Sequence, residues 1–220
     1  MPPTFATVVT AMHIVSVNIA RAAPLGDGVK TPTGIAKQPR TGPVPVHRLG
    51  LANDAICNLK HHGGEDQAVY LYSVEDYAWW SERLERELLP GTFGENLTVA
   101  GIESAGIGIG DRFVIDDLVL ETTSPRIPCN TLNRRMRDPR FGIAFRRALR
   151  PGWYCRVIAE SSIEKDARVQ HEPSNGVRIT IAEMMEDYYA RPLPPDRARQ
   201  YLETPMSNKM RPEMQQAAAR

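Results

Sequence analysis

The chain has 220 residues, 42% hydrophobic and 24% charged, with a formal net charge of +1. That is long enough for one buried core plus an appendage, and ordinary in make-up for a globular protein. Near-neutral charge gives no nucleic-acid footprint and no acidic-lipid surface, and no apolar run nears the roughly 20 residues of a bilayer span, so neither nucleic acid nor membrane is expected as a partner.

Residues 1–11 lack the basic start and apolar centre of a signal peptide and are expected to form a disordered extension ahead of Met12. Residues 12–19 are rich in β-branched side chains and read as a strand. Residues 22–41, with many Gly, Pro and Lys, read as a loop or hairpin that contains Lys37 and Arg40. A short strand over 44–47 leads through Leu49-Gly50-Leu51 to Lys60-His61-His62-Gly63-Gly64, where two glycines imply a tight turn with exposed imidazoles. Adjacent histidines on extended chain point to opposite sides, so the pair is not expected to ligate one metal.

Residues 68–72 read as a buried strand. Ser73 is placed to cap a helix over 74–88, with Tyr77, Trp80, Leu84 and Leu88 on its core face and Pro90-Gly91 ending it. The loop 91–98 combines two glycines with Glu95 and Asn96. Residues 112–115 and 118–123 form a hairpin around Asp116-Asp117, and the second strand delivers Glu121-Thr122-Thr123-Ser124-Pro125-Arg126-Ile127-Pro128-Cys129. Helical pieces follow over 130–136 and 141–149, both rich in arginine. A strand over 153–159 puts Cys155 on the same face as Trp153 and Val157, marking it as a core residue. Short strands over 163–169 and 177–181 precede three helices, over 181–189, 195–202 and 207–218, punctuated by prolines.

Of the three cysteines, Cys57, Cys129 and Cys155, no two form a Cys-x-x-Cys pair. Odd number and wide spacing fit a reducing cytoplasm better than a disulfide framework, and argue against an intrinsic iron–sulfur cluster or zinc ribbon. Cys129 follows Pro128, a residue favoured at the first helical position. If Pro128 opens a helix, Cys129 lies in its first turn, where the positive helix end and Arg126 favour the thiolate. The opposing reading is that Cys129 is a small buried apolar residue.

The segment 123–132 resembles the cysteine-bearing loop of the MOSC family, the molybdenum-cofactor sulfurase C-terminal type of domain. Further pieces match in the same order: Gly42-Pro43-Val44-Pro45-Val46, Leu49-Gly50-Leu51 with Asp54, His62-Gly63-Gly64, Ala68-Val69-Tyr70-Leu71-Tyr72, Phe93-Gly94-Glu95-Asn96-Leu97-Thr98, Ile109-Gly110-Asp111 and Gly152-Trp153-Tyr154. The likeness is greatest to the YiiM-like branch. It departs from the usual pattern at Asn53 and Asn58, where glycine and an acidic residue are common.

The resemblance implies a mainly β fold: a MOSC-type β-barrel over residues 12–176 with a few inserted helices, and a small three-helix appendage over 177–220 packed on the barrel or on the second subunit of a homodimer. Without that appendage the barrel is expected to fold and still bind the cofactor. The resemblance also implies a molybdenum cofactor with Cys129 as the metal's protein ligand, a soft donor for a metal already held by dithiolene sulfur. Arg126, Asn96, Lys60, Lys37, Arg40 and Thr123 become candidate cofactor-binding residues. His62 and Glu95 become the candidate proton-handling groups of a cytoplasmic reductase of N-hydroxylated compounds, such as hydroxylaminopurines. Pyridoxal phosphate is not expected. A chain without its own redox centre would draw electrons from an external flavin or iron–sulfur protein. The alternative is a molybdenum-cofactor or sulfur carrier without turnover.

Overall fold

The structure, a computed structural model, describes residues 11–26, 30–58, 62–190 and 192–220. In chain order it contains β1 (His13–Ile19), β2 (Ala23–Pro24), β3 (Pro32–Thr33), β4 (Gln38–Pro39), β5 (Val44–His47), β6 (Gly50–Leu51), β7 (Val69–Ser73), α1 (Val74–Arg83), β8 (Leu97–Ala100), β9 (Arg112–Ile115), β10 (Leu118–Pro125), α2 (Asn130–Met136) and α3 (Phe141–Ala148). Then come β11 (Trp153–Ala159), β12 (Ser161–Ile163), β13 (Gln170–Glu172), α4 (Ile181–Tyr189), α5 (Pro195–Leu202) and α6 (Arg211–Ala218).

Eight strands form the main sheet in the order β13-β9-β10-β11-β7-β8-β1-β4. All neighbours are antiparallel except β7 and β8, which are parallel and joined through α1. Small sheets β12-β5-β6 and β2-β3 flank it. The architecture is mixed α and β rather than mainly β, and strand pairing among the described residues does not close a barrel. Instead, residues 166–169, just ahead of β13, hydrogen-bond to β1: Ile14 N donates to Ala167 O (2.9 Å), Asp166 N to Ile14 O (2.8 Å) and Val169 N to Met12 O (2.9 Å). This draws the β13 side of the sheet back against β1.

The sheet separates two cores, and the period of two along a strand assigns residues to each. In β7, Val69 and Leu71 face the first core while Tyr70 and Tyr72 face the second. In β11, Trp153 and Cys155 face the first and Tyr154 the second, so Cys155 takes the buried position read from its pattern. The second core is aromatic. Tyr72, Tyr77, Trp80, Phe93, Phe141 and Phe145 pack with ring centroids 4.7 to 6.5 Å apart, which adds edge and stacking contacts to plain area burial. Helices α1, α2 and α3 lie on this side.

Ser73 caps α1 as its sequence implies, its Oγ accepting from Asp76 N at 3.1 Å. The helix stops at Arg83, short of residue 88, because Leu84 leaves helical geometry and Glu85 turns left-handed at φ 51°. Residues 164–169 and 177–180 are not strands: the first run makes the crossing bonds to β1, and the second is held at Ile179 O by Ile109 N (2.8 Å).

Residue 177 marks a change in element type, but the apolar packing runs across it. Ile179, Ile181, Met184, Tyr201, Met206 and Met214 belong to the first core together with Leu118, Leu120 and Trp153 of the sheet. Ser207 N donates to Thr123 O (3.1 Å), and Arg156 of β11 donates to Pro205 O and Met206 O. The helices are therefore one wall of the sheet's own core, not a free appendage. Removal of residues 177–220 is expected to abolish the cooperative unfolding transition of the remaining chain, monitored by circular dichroism in urea. A sharp transition with little change in midpoint would mean that the sheet is self-sufficient.

Candidate functional site

A cavity of about 430 Å³ opens where four parts of the chain converge. They are residues 31–37, residues 54–58, the turn around His62 and Gly63, and the segment from Arg126 to Arg134. Its size lies in the roughly 300–1,000 Å³ range of small-molecule sites. Two glycines shape the wall. A Cβ on Gly34 would lie 1.9 Å from Ala55 O, and Gly94 has φ +83° with Ile35 Cγ1 2.9 Å from where its Cβ would be. Neither position accepts a side chain without moving the lining.

Cys129 lines the cavity and is half-buried. It is the N-cap of α2 in extended geometry (φ −132°, ψ 168°), so the helix starts after it and not at Pro128. A two-turn helix supplies little field, and the thiol is tuned by neighbours instead. Partial burial pushes its pKa up, but a hydrogen bond from His62, the Arg126 charge and the Leu132 N–H outweigh this and hold it at about 6. At neutral pH Cys129 is mostly thiolate. Cys155 shows the contrast: fully buried, with only Thr122 Oγ1 at 3.9 Å, its thiol is pushed well above the usual range. Cys57 is exposed and lines the same cavity.

Arg126 is buried at 4% exposure, and it lines the cavity. Its Nε donates to Phe93 O (3.3 Å), its guanidinium lies 5.6 Å from the Tyr70 ring centroid, and its Nη1 has no partner among the described residues. A buried, charged donor without an acceptor is costly, on the order of 1–3 kcal/mol or more, unless a ligand satisfies it.

The remaining candidates separate into cavity wall and support. Lys37 lines the cavity but is paired with Asp54; burial lowers its pKa, and Asp54 opposes the shift. Asn96 lines it with its side chain engaged: Oδ1 accepts from Tyr70 N (3.1 Å) and Nδ2 donates to Asp54 Oδ2 (2.8 Å). Asp54 also accepts Ala20 N (2.8 Å), so it ties β1, Lys37 and Asn96 together. Sequence reasoning placed Asp54 only within a matching motif; its role depends on contacts 17 to 42 residues away.

Glu95, expected to handle protons, does not line the cavity. It is fully buried behind the wall, where Oε1 accepts from Gly91 N (2.6 Å), Tyr77 Oη (2.8 Å) and Thr98 Oγ1 (2.8 Å), and burial raises its pKa. That geometry holds the loop 91–98 in place. Thr123 is also behind the wall, with Oγ1 2.5 Å from Asp66 O and 3.1 Å from Tyr154 O. Arg40 is exposed and away from the cavity, and Lys60 lies outside the described residues. Arg134 and Tyr154 join the lining.

The MOSC domain profile matches residues 58–170, just over half of the chain and spanning His62, Arg126 and Cys129. The chain belongs to the MOSC domain family. Uncharacterized protein YflK of Bacillus subtilis is 32% identical over 183 residues, covering 82% of this chain and 83% of YflK. A protein named reductase from Gibberella moniliformis is 34% identical over 144 residues, 63% of this chain but only 25% of the fungal protein. Among solved structures, YiiM from Geobacillus stearothermophilus superposes with a TM-score of 0.78 at 27% identity, over 94% of this chain and 98% of YiiM. This MOSC chain is thus YiiM-like along nearly its whole length.

The thiol tuning is directly testable. In a Cys57→Ser background, iodoacetamide should label Cys129 of the metal-free protein with a rate that rises with pH through a midpoint at about 6, while Cys155 stays unmodified. His62→Ala should move that midpoint up by about one to two units, since a hydrogen bond to a charged group contributes roughly 1.5–3 kcal/mol and one pKa unit is about 1.4 kcal/mol. Mass spectrometry of the labelled peptides reads both.

Proposed function

We propose that this protein binds the molybdenum cofactor, with Cys129 as the metal's one protein ligand, and reduces N-hydroxylated compounds of the hydroxylaminopurine type to amines. The observation that carries the reading is the pairing of a lowered-pKa thiol with a buried guanidinium whose Nη1 has no partner among the described residues, on one cavity. The two ask for the two ends of one ligand: Cys129 for a soft metal, Arg126 for an anionic group such as the pterin phosphate. Among the described residues no three His, Cys, Asp or Glu side chains converge into a metal cage. A metal that arrives with most of its ligands on a cofactor fits such a donor set. The family membership and the name of the fungal relative point the same way.

When bound, the cofactor would supply a metal centre able to take up an oxygen atom and pass on electrons. The reaction consumes two electrons and two protons: R–NHOH gives R–NH2 and water, the N–O bond breaking and the oxygen leaving as water. The chain's own residues position and protonate. Gly34 lets residues 31–37 close on Ala55 and Gly94 lets the loop 91–98 close on Ile35, which shapes the wall a ligand would lie against, and the Tyr70 ring lies beside the Arg126 guanidinium that would hold the anion. His62 lines the cavity and helps lower the Cys129 pKa, and in this reading its imidazole carries a proton to the departing hydroxyl.

Protein made in a host that synthesises the cofactor tests this. Cys129→Ser should retain no molybdenum, whereas Cys57→Ser and Cys155→Ser should retain it. His62→Gln should keep the metal and lose about 100- to 10,000-fold in turnover of a hydroxylamino substrate with an artificial reductant. Full metal occupancy in Cys129→Ser would sink the ligand assignment. Metal retention without any turnover in the parent would make the protein a cofactor carrier.

A further inference from the structure

We propose that the outer face of the α2–α3 hairpin is the docking surface for an acidic redox protein that delivers electrons to the cavity, an inference that rests on the reductase reading above. Residues 130–150 hold seven arginines and one aspartate, a net of +6. The whole chain is only +1, so all other residues together carry −5. The positive charge is concentrated where overall composition conceals it.

The face is exposed and its charges are free. Arg134, Arg137, Arg140 and Arg147 are solvent-exposed, and none pairs with a carboxylate among the described residues. Arg140 and Arg147 flank Ile143 on α3 at spacings of three and four, and Ile143 is 53% exposed. An apolar centre ringed by one sign of charge suits brief, charge-steered encounters. The face is also rigid. Asn133 of α2 accepts from Gly142 N (2.7 Å) and donates to Pro139 O (2.9 Å), which locks the two helices together.

Its position relative to the site gives the surface its purpose. Cys129 is the N-cap of α2, and Arg134 on the same helix lines the cavity. A partner seated on this hairpin lies beside the mouth through which the thiolate is reached. The chain has no Cys-x-x-Cys cluster motif of its own, and each N–O bond broken requires two electrons from outside. A protein donor with an acidic rim complements the patch; a basic one is repelled, and a neutral one gains no steering.

Flavodoxin, an acidic FMN protein, is the probe. Metal-free full-length protein should bind it at low ionic strength, with affinity falling steeply as salt shortens the screening length to about 10 Å at 0.1 M. Arg140→Glu/Arg147→Glu should weaken binding about tenfold or more, and Arg140→Gln/Arg147→Gln should weaken it less; circular dichroism confirms that both fold. With cofactor-loaded protein, the double reversal should slow turnover driven by reduced flavodoxin while leaving turnover with reduced methyl viologen unchanged. Parent-like flavodoxin binding in the reversed variant, or no binding by the parent, overturns the proposal. So does an RNA or DNA duplex that binds this face where flavodoxin does not. If flavodoxin binding is lost in the variant but viologen drives no turnover in the parent, the surface stands and the reductase reading fails.

Discussion

Burying charge constrains this molecule more than any other single demand. Asp54 meets Lys37, Asp66 meets Arg156, Asp76 meets Arg150, and Asp111 meets His171 and Arg178. Each pair spans segments distant in sequence, so each also fixes how loops are laid against the sheet. Breaking such a pair by removing one partner leaves an uncompensated buried charge, which typically costs about 3–5 kcal/mol. Against that background Arg126 and Glu95 stand apart. Both are buried, and among the described residues neither forms a direct ion pair. Glu95 is satisfied on one oxygen by three donors that anchor the loop 91–98. Arg126 has only Phe93 O, and its free Nη1 belongs to a residue of the cavity wall. Among the described residues Arg126 Nη1 is one of five buried side-chain polar atoms without a partner, and the Arg126 side chain lines the cavity.

The two buried-side cysteines show how environment divides identical chemistry. Cys155 lies mid-strand on β11, facing the first core, where full burial outweighs the Thr122 contact and the Arg156 charge. Cys129 lies only a few residues beyond the paired strand β10, where the chain has left the sheet, and meets His62 from one loop and Arg126 from its own. Reactivity here comes from the loop's exit from the ladder and from what the neighbouring turn presents. It does not come from a helix field, since α2 spans only seven residues.

Much of this was legible in the sequence. The alternation in β7 and β11, the Ser73 cap and the hairpin β9–β10 follow from local periodicity and turn chemistry. The cysteine-bearing loop and the His62 turn were visible as motifs, and the structure brings them to one cavity. Glu95 was misplaced because its loop motif carries no sign of which way a side chain faces. Tyr77 and Gly91 draw it inward, and those contacts exist only in three dimensions. The barrel was overstated for a related reason. Alternating patterns identify strands but not which edges meet, and here residues 166–169 meet β1 and its approach through three backbone bonds and a single antiparallel bridge, His13 to Arg168, in place of a full ladder. The core boundary at residue 177 was drawn from the change to helical periodicity, which says nothing about the surface those helices cover.

The tail reaches further than its own packing. Lys209 Nζ donates to Gly63 O and to Gln67 Oε1, both at 2.8 Å, and Asn208 N donates to Asp66 Oδ2 at 2.6 Å. The turn that presents His62 is thus clasped from behind by residues near the chain's far end. Local opening is governed by the weakest cooperative unit that holds a segment shut. Breathing of the cavity rim at Gly63 therefore keeps time with α5 and α6. Opening the rim at Gly63 thus requires releasing contacts made by the segment that links α5 to α6.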